Sequence, residues 1–366
     1  MSANALKPLK LRFDWVLTGL VMLLSSIGLL NLYSSSMALG ESLHIAQATW
    51  LGLGLTLAAV TALIDYRYYQ RWAYVSYGFV LFLLLAVLLF GTIINGSRRW
   101  LNFGLFLLQP SELMKLAMIL LVGRFVADNP HPEGYSLFNM AVPLALVGAP
   151  TLLIMLQPDL GTSLVVVFIF FTLFFFLGIK MRSTLFLFGT AAIAAPLFWF
   201  FGLHDYQKRR ITSFLDLEKD PYGPGWQVRQ ALIAFGAGGT TGKGHLMGTQ
   251  VQMGFVPYHE SDFAAVNWAE EHGFVGMMFL MAVYIALIYW ALRVARNARD
   301  RFGMVVATGV AALIFWHVVI NLAMVLGMLP VVGLTLPLIS YGGSSVITIM
   351  IGLGLLMNVS IRRHVF

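Results

Sequence analysis

The sequence predicts an all-α polytopic membrane protein with about ten transmembrane helices. Hydrophobic residues make up 59% of its 366 residues and charged residues only 11%, whereas a soluble domain carries about 25% charged residues. A chain this poor in charge cannot cover a water-facing surface. Its apolar residues also fall into runs of spanning length. At roughly 20–25 residues per span, the chain has room for about ten spans with short connections.

Each predicted span is an apolar run bounded by polar or basic residues. The first is longer than the roughly 7–15 residues of a signal-peptide core, so we interpret it as a retained span. Several other runs are rich in Phe and Leu on all sides, as expected for helices bathed in lipid. The ten runs lie near 14–35, 44–64, 74–94, 111–127, 139–156, 162–179, 183–202, 264–291, 304–327 and 341–360.

The distribution of lysine and arginine predicts that both chain termini are cytoplasmic. With that orientation, most basic residues outside the long polar loop at about 202–263 fall on one side, as the positive-inside rule requires. The long loop is then extracytoplasmic, and we expect residues 1–366 to form a single membrane domain. The net charge of +7 lies at span ends and indicates no nucleic-acid partner. The chain has no cysteine, which excludes disulfides and thiolate metal sites.

Unusual polar residues are concentrated on the extracytoplasmic side. The long loop opens with the segment 204–210, which contains Lys208-Arg209-Arg210, and closes with Ser261-Asp262-Phe263. Because both ends of the loop join membrane helices, these groups return to the same membrane face. Shorter polar segments on that side lie at 95–102, 157–162 and 337–345. The asymmetry favours a site for an anionic molecule held in the bilayer over a transporter, whose key groups tend to lie near the midplane.

Asp262 is the first candidate for chemistry, and two interpretations of it are open. A Ser-Asp pair directly before an apolar run is typical of a helix N-cap. A carboxylate beside a low-dielectric cleft is instead suited to act as a general base. Glu270 and Glu271 follow eight and nine positions later within the apolar run, where charges usually face the protein interior. At least one of them should lie near the helix face of Asp262.

Glu112 and Lys115 form a second candidate pair near the outer end of a span. Pro110 is typical of a first helical position and Ser111 of a cap. Glu112 and Lys115 are three residues apart and therefore share a helix face. Either the two charges neutralise each other so that the membrane tolerates them, or they form a cavity wall in which Lys115 meets an anion.

Cations outside the membrane and one further carboxylate complete the candidates. Arg98, Arg99 and the cluster at 208–210 suit phosphate through bidentate hydrogen bonds, or they attract anionic lipid headgroups. Asp159 follows a tight Gln157-Pro158 turn, and we favour a cap of the next helix for it.

Four other patterns receive simpler interpretations. The segment 237–244 is similar to a phosphate loop but lacks its first glycine and the hydroxyl residue after lysine. His259-Glu260 is not a zinc-protease motif, because no second histidine follows at the required spacing. His317 is interpreted as a hydrogen-bonded structural histidine between helices rather than a proton relay. The segment 226–235 is expected to be a helix along the membrane interface, anchored by Trp226.

Short polar motifs are distributed over essentially the whole chain. They are GSRRWL at 96–101, QPSE at 109–112 with Lys115, QPDLGTS at 157–163, DYQ at 205–207, DPYG at 220–223, GKG at 242–244 with GTQ at 248–250, SDF at 261–263 with AEE at 269–271, LP at 329–330 and LISYGGS at 338–344. In this order the motifs resemble those of the SEDS (shape, elongation, division, sporulation) family. Gly242-Lys243-Gly244 followed by Gly248-Thr249-Gln250 is more similar to the elongation branch than to the division branch. The order His259-Glu260-Ser261 departs from the family's usual Pro-Glu-x-His-Thr-Asp-Phe, with Asp262 retained.

That resemblance implies an inverting peptidoglycan glycosyltransferase on the outer face of the bacterial cytoplasmic membrane. It implies polymerisation of lipid II into β-1,4 glycan strands linked to undecaprenyl pyrophosphate, with a class B penicillin-binding protein as partner and membrane lipids around the chain. The family's functional carboxylate falls on Asp262, as a general base. The leaving pyrophosphate needs cations, and a divalent cation, Mg or Mn, is a further expectation. The residues expected to line the substrate cavity are Glu112, Lys115, Arg98, Arg209, Arg210, Asp159, Ser340 and Ser344.

Two other functions stay open beside the enzyme. A lipid II flippase predicts polar groups near the midplane and no dependence of polymerisation on one carboxylate. A non-catalytic scaffold for a penicillin-binding protein predicts that Asp262 is dispensable. The concentration of polar residues on the outer face favours the enzyme.

Overall fold

Helices account for most of the described chain, which confirms the predicted all-α class. The computed structural model describes residues 13–40, 42–94, 97–104, 106–197, 199–200, 208, 212, 214 and 224–363. The helices are α1 (Trp15–Leu39), α2 (Leu43–Leu63), α3 (Tyr66–Phe90), α4 (Pro110–Asp128), α5 (Leu137–Leu156), α6 (Leu160–Leu177), α7 (Met181–Leu197), α8 (Pro224–Ala237), α9 (Thr249–Gln252), α10 (Ala264–Arg296), α11 (Arg301–Val325) and α12 (Gly343–Arg362).

Eight helices in the described part of the chain are long and apolar enough to cross a membrane, which makes this a multi-pass membrane protein. They are α1, α2, α3, α5, α6, α10, α11 and α12. The other two predicted spans correspond to α4 and α7. Four charged residues lower the hydropathy of α4, and α7 has only 17 residues. A total of ten spans therefore stays a prediction.

Helix α3 begins at Tyr66, eight residues before the predicted start of that span. Asp65 caps it by accepting a hydrogen bond from the backbone N–H of Arg67 at 2.9 Å. The first two turns carry arginine and tyrosine side chains, so the apolar pattern starts later than the helix does.

The centre of the bundle is built from α4, α11 and α12, which are largely buried by their neighbours. Small residues allow close approach. A Cβ added at Gly309 of α11 would lie 2.5 Å from Ile119 of α4, and one at Gly354 of α12 would lie 2.6 Å from the carbonyl of Ala58 in α2. Such small-residue contacts are typical of packing between membrane helices.

A small antiparallel sheet between α3 and α4 is absent from the sequence prediction. Its strands, in spatial order β1-β2-β3, are β1 (Thr92–Ile94), β2 (Ser97–Asn102) and β3 (Leu107–Leu108). The sequence does contain an Asn95-Gly96 dipeptide, a strong hairpin signal. Because the apolar residues before this dipeptide were assigned to the predicted span at 74–94, strand β1 was not predicted.

Candidate active site at the polar end of the helix bundle

Helix α10 consists of two helical segments joined at Gly273. That residue has φ 64° and ψ −161°, a backbone conformation that only glycine adopts readily. The first segment, 264–272, directly follows Asp262, and the second carries the rest of the span. The position of the Asp262 segment therefore depends on what holds residues 264–272.

The glycine-rich segment 238–244 supplies the hydrogen bonds that α10 loses at its break. Four backbone hydrogen bonds of 2.9–3.0 Å join the two: Lys243 N to Glu270 O, Gly244 N to Glu271 O, Phe274 N to Gly239 O, and Val275 N to Thr240 O. A Cβ at Gly238 or Gly242 would lie 2.1 Å from a carbonyl oxygen of α10. Glycine is thus required at these two positions because the two backbones are in close contact. This contact explains why the segment is rich in glycine, without a bound phosphate.

The carboxylate of Glu270 holds the start of α9. It is completely buried and accepts hydrogen bonds from the backbone N–H groups of Gln250 at 2.9 Å and Val251 at 3.1 Å. It also pairs with the ammonium of Lys243 at 2.6 Å. A buried carboxylate with this many donors is a fixed structural anchor.

Glu271 makes a second anchor beside the first. Its carboxylate accepts hydrogen bonds from the hydroxyl of Ser34 on α1 and from the N–H of Leu246 at 3.1 Å, and it lies 3.0 Å from Nδ1 of His245. Both glutamates therefore tie α10 to the segment 243–251. The expectation that charges in this run face the protein interior is confirmed.

Glu270→Ala is expected to destabilise the protein by about 3 kcal/mol, because it leaves buried backbone donors and Lys243 without their acceptor. Thermal unfolding in detergent measures the loss, and limited proteolysis should show faster cleavage within 238–252. Glu133→Ala, at an exposed position, is the matched control and should unfold like the wild type. Equal unfolding temperatures for both variants would contradict the anchoring role.

Asp262 lies in a tight turn before α10 and is not the cap of that helix. The cap position is Phe263, without a side-chain cap hydrogen bond, and the helix begins at Ala264. The carbonyl of Tyr258 accepts hydrogen bonds from the N–H groups of Ser261 and Phe263, both at 3.1 Å. The capping interpretation of Asp262 is therefore wrong, and the half-buried side chain belongs to the turn.

The connection between α11 and α12, residues 326–342, packs against Asp262. Asn321 on α11 donates hydrogen bonds to the carbonyls of Asp262 at 2.8 Å and Leu334 at 2.6 Å. A Cβ added at Gly333, whose φ is 72°, would lie 3.4 Å from Oδ2 of Asp262. Asn321 therefore fixes the turn and the connection relative to each other, with the carboxylate beside the backbone at Gly333.

Lys115 and Glu112 form the predicted ion pair, deep in the bundle. The exposed fraction of Lys115 is 0% and that of Glu112 is 5%, and Nζ lies 2.6 Å from Oε1. Pro110 is the first residue of α4, as predicted, but the cap position is Gln109 rather than Ser111. The hydroxyl of Ser111 is buried without a hydrogen-bond partner among the described atoms.

His317 on α11 contacts this pair, so it is a hydrogen-bonded histidine between helices, as predicted. Its Nε2 lies 2.8 Å from Nζ of Lys115. Asn321 is four residues further along the same helix and therefore lies one turn away on the same face. The two α11 residues that contact the Glu112–Lys115 pair and the Asp262 turn, His317 and Asn321, are thus one helical turn apart on one side of the helix.

Asp159 caps α6, as predicted, and also binds α4. Its Oδ1 accepts from the N–H of Thr162 at 3.2 Å, and its Oδ2 accepts from Nε2 of Gln109 at 3.0 Å. Arg99, rather than Arg98, faces this carboxylate, with Nη1 3.8 Å from Oδ1. Arg98 is exposed on β2.

The hydroxyls of the two candidate serines, Ser340 and Ser344, form hydrogen bonds with backbone groups. The hydroxyl of Ser340 accepts from the N–H of Leu336 at 2.8 Å. The hydroxyl of Ser344 donates to the carbonyl of Leu107 at 3.1 Å and accepts from the N–H of Gln109 at 3.2 Å. Arg209 and Arg210 lie outside the described residues.

Fold and site together define a polytopic helical membrane protein with a carboxylate turn and a buried lysine pair on one side of a central helix. The family model FTSW_RODA_SPOVE, described as a cell cycle protein, matches residues 11–365. The chain therefore belongs to the FtsW/RodA/SpoVE family, and the predicted SEDS membership is confirmed.

Relatives agree with this assignment over most of the chain. The peptidoglycan glycosyltransferase MrdB of Escherichia coli K12 is 43% identical over 317 residues, which cover 86% of this chain and 84% of that protein. The protein of the same name from Helicobacter pylori 26695 is 37% identical over 365 residues, covering 98% and 93%.

Solved structures agree as well. The crystal structure of the Thermus thermophilus rod shape determining protein RodA is similar with a TM-score of 0.73 and 31% identity, covering 98% of this chain and 99% of that one. A chain from a peptidoglycan synthase complex, studied for the structural coordination of polymerization and crosslinking, matches with a TM-score of 0.84 and 34% identity, covering 97% and 99%.

Proposed function

We propose that this chain is an inverting peptidoglycan glycosyltransferase that polymerises lipid II into β-1,4 glycan strands during cell elongation and shape maintenance. One observation carries the proposal: the Asp262 turn is held by Asn321 one helical turn from the buried Glu112–Lys115 pair. A carboxylate and a cation on the same side of one helix suit a reaction that deprotonates one group and expels an anion. The names of the MrdB relatives support the same activity.

The proposed reaction assigns one role to Asp262. The acceptor is the C4 hydroxyl of a GlcNAc in lipid II, and the donor is a glycan linked through MurNAc C1 to undecaprenyl pyrophosphate. Asp262 takes the hydroxyl proton while the oxygen attacks C1 from the face opposite the pyrophosphate, which inverts the anomeric centre. The C1–pyrophosphate bond breaks, and the pyrophosphate keeps the bonding electrons. Asp262 then releases its proton to water.

Cations stabilise the leaving pyrophosphate in this scheme. Lys115, Arg98, Arg209 and Arg210 are the proposed source, and a divalent cation, Mg or Mn, stays part of the proposal because it would neutralise charge on the phosphate oxygens. Among the residues that the structure describes, no three His, Asp or Glu side chains are grouped to hold an ion.

The proposal also includes a partner protein and the orientation of the chain in the membrane. The relative found in a peptidoglycan synthase complex supports a penicillin-binding protein of class B as the transpeptidase partner. The distribution of basic residues supports cytoplasmic termini and a reaction on the outer face of the bacterial membrane.

The experiment is a polymerisation assay of the purified full chain with lipid II, alone and with a class B penicillin-binding protein. Glycan polymer on a gel is the expected result. A parallel assay in vesicles measures transfer of fluorescent lipid II between leaflets. Transfer without polymer would replace the enzyme by a flippase, and neither activity from a folded protein would favour a scaffold.

A further inference from the structure

We infer that His317 is a positioning residue for the proposed transferase, because it joins the Glu112–Lys115 pair to the segment lying against Asp262. The inference rests on the proposed function. His317 lies on α11, is completely buried, and touches two elements that are distant in sequence.

Both ring nitrogens of His317 are used. Nε2 lies 2.8 Å from Nζ of Lys115, and Nδ1 lies 3.1 Å from the carbonyl of Thr335. An ammonium group can only donate and a carbonyl can only accept. The imidazole that satisfies both is therefore neutral, with its proton on Nδ1 and a lone pair on Nε2. A histidine that only filled space would not need one ring nitrogen as a donor and the other as an acceptor.

On the Thr335 side, His317 supports the backbone beside the carboxylate. Thr335 follows Leu334, whose carbonyl is held by Asn321, and Gly333, whose backbone lies against Oδ2 of Asp262. Two side chains one turn apart on α11 thus fix two successive carbonyls of this connection. Loss of the Nδ1–H donor leaves the Thr335 carbonyl unsatisfied and lets the backbone at Gly333 move relative to Asp262.

On the Lys115 side, His317 sets the direction of the ammonium. Glu112 Oε1 and His317 Nε2 take two of its three N–H groups, which sets the direction of the third. The other carboxylate oxygen, Glu112 Oε2, is buried without a hydrogen-bond partner among the described atoms. Without the acceptor on His317, the ammonium would be drawn toward both carboxylate oxygens of Glu112, which would change the direction of its third N–H.

Three substitutions test the two contacts separately. His317→Ala removes both and is expected to lower kcat for lipid II polymerisation by about 100-fold, the effect of misplacing reacting groups by about 1 Å, with a change in KM below about threefold. His317→Asn places an amide N–H near the Nδ1 position, and His317→Gln places an amide oxygen near the Nε2 position. Each should recover part of the lost kcat, and neither should recover all of it. Thr308→Val, which removes a buried hydroxyl from the same helix, is the control and should keep the wild-type rate.

Hydrogen exchange gives a readout that does not depend on activity. In His317→Ala, peptides covering 258–263 and 331–338 should exchange faster, while those of α5 stay unchanged. Unchanged exchange, or a kcat per folded molecule equal to that of the wild type, would overturn the inference and leave the proposed function standing. A wild type without polymerase activity would overturn the proposed function, and exchange in these peptides would still decide whether His317 supports the Asp262 turn.

Discussion

Asp262→Asn is expected to lower lipid II polymerisation by at least about 100-fold, because a positioned general base contributes about 10²–10⁴-fold. Asparagine keeps the shape of the side chain and cannot accept the proton. Asn321 holds the turn through the backbone carbonyl of Asp262, which asparagine retains, so the substitution should leave the fold intact. The measurements are the initial polymerisation rate with the partner present and the unfolding temperature in detergent. Asp262→Ala should give the same loss.

Asp128→Asn is the matched control for this experiment. Asp128 is at the other end of α4, in a partly exposed pair with Arg124 at 2.6 Å, and its loss should leave polymerisation unchanged. A wild-type rate from Asp262→Asn would remove the general base from the proposal. If polymer then depended only on the added penicillin-binding protein, the scaffold interpretation would take its place.

Lys115→Met is expected to be the most destabilising single change in the site. It leaves the carboxylate of Glu112, only 5% exposed, without its counter-charge, and breaking a buried pair in this way costs about 3–5 kcal/mol. The double variant Glu112→Gln, Lys115→Met removes both charges, and such replacements are often neutral or stabilising. Thermal unfolding should therefore show a large loss in the single variant and recovery in the double variant.

Activity of the double variant distinguishes the two interpretations of the pair. If the charges only neutralise each other within the membrane, the recovered protein should polymerise lipid II. If Lys115 meets the leaving pyrophosphate, the recovered protein should be folded and at least about tenfold slower, since charge stabilisation in the transition state is lost. Arg124→Met, Asp128→Asn removes the partly exposed pair of the same helix and should change stability by only about 0–1 kcal/mol.

Local patterns predicted the parts of the site that depend on neighbours in sequence. The spacing of Glu112 and Lys115 predicted their ion pair. Residues three apart on a helix are neighbours on its surface, regardless of which elements the helix packs against. Asp159 was predicted as a cap for the same reason, because its acceptor oxygen and the N–H of Thr162 are three residues apart. The cap interpretation of Asp262 was wrong because the cap position is Phe263, while the helix begins at Ala264, where the predicted span starts.

Contacts between distant residues required the folded chain. Arg98 and Arg99 are equivalent in sequence, but the alternation of β2 turns Arg99 toward Asp159 and leaves Arg98 exposed. Glu270 can act as an anchor only because the chain near residue 250 lies against it in the folded protein. The sequence between the two has no periodic pattern from which this contact could be predicted.

By itself, the sequence determined the membrane class, the order of the apolar helices and the candidate carboxylate Asp262, because composition and short-range spacing are enough for these. Only the tertiary structure decided that His317 meets Lys115 across 202 residues of chain. It also decided that α10 breaks at Gly273, where backbone from 239–244 completes the hydrogen bonds. The physical reason is that a buried polar group must find its partner, while the partner's identity is set by how the helices pack.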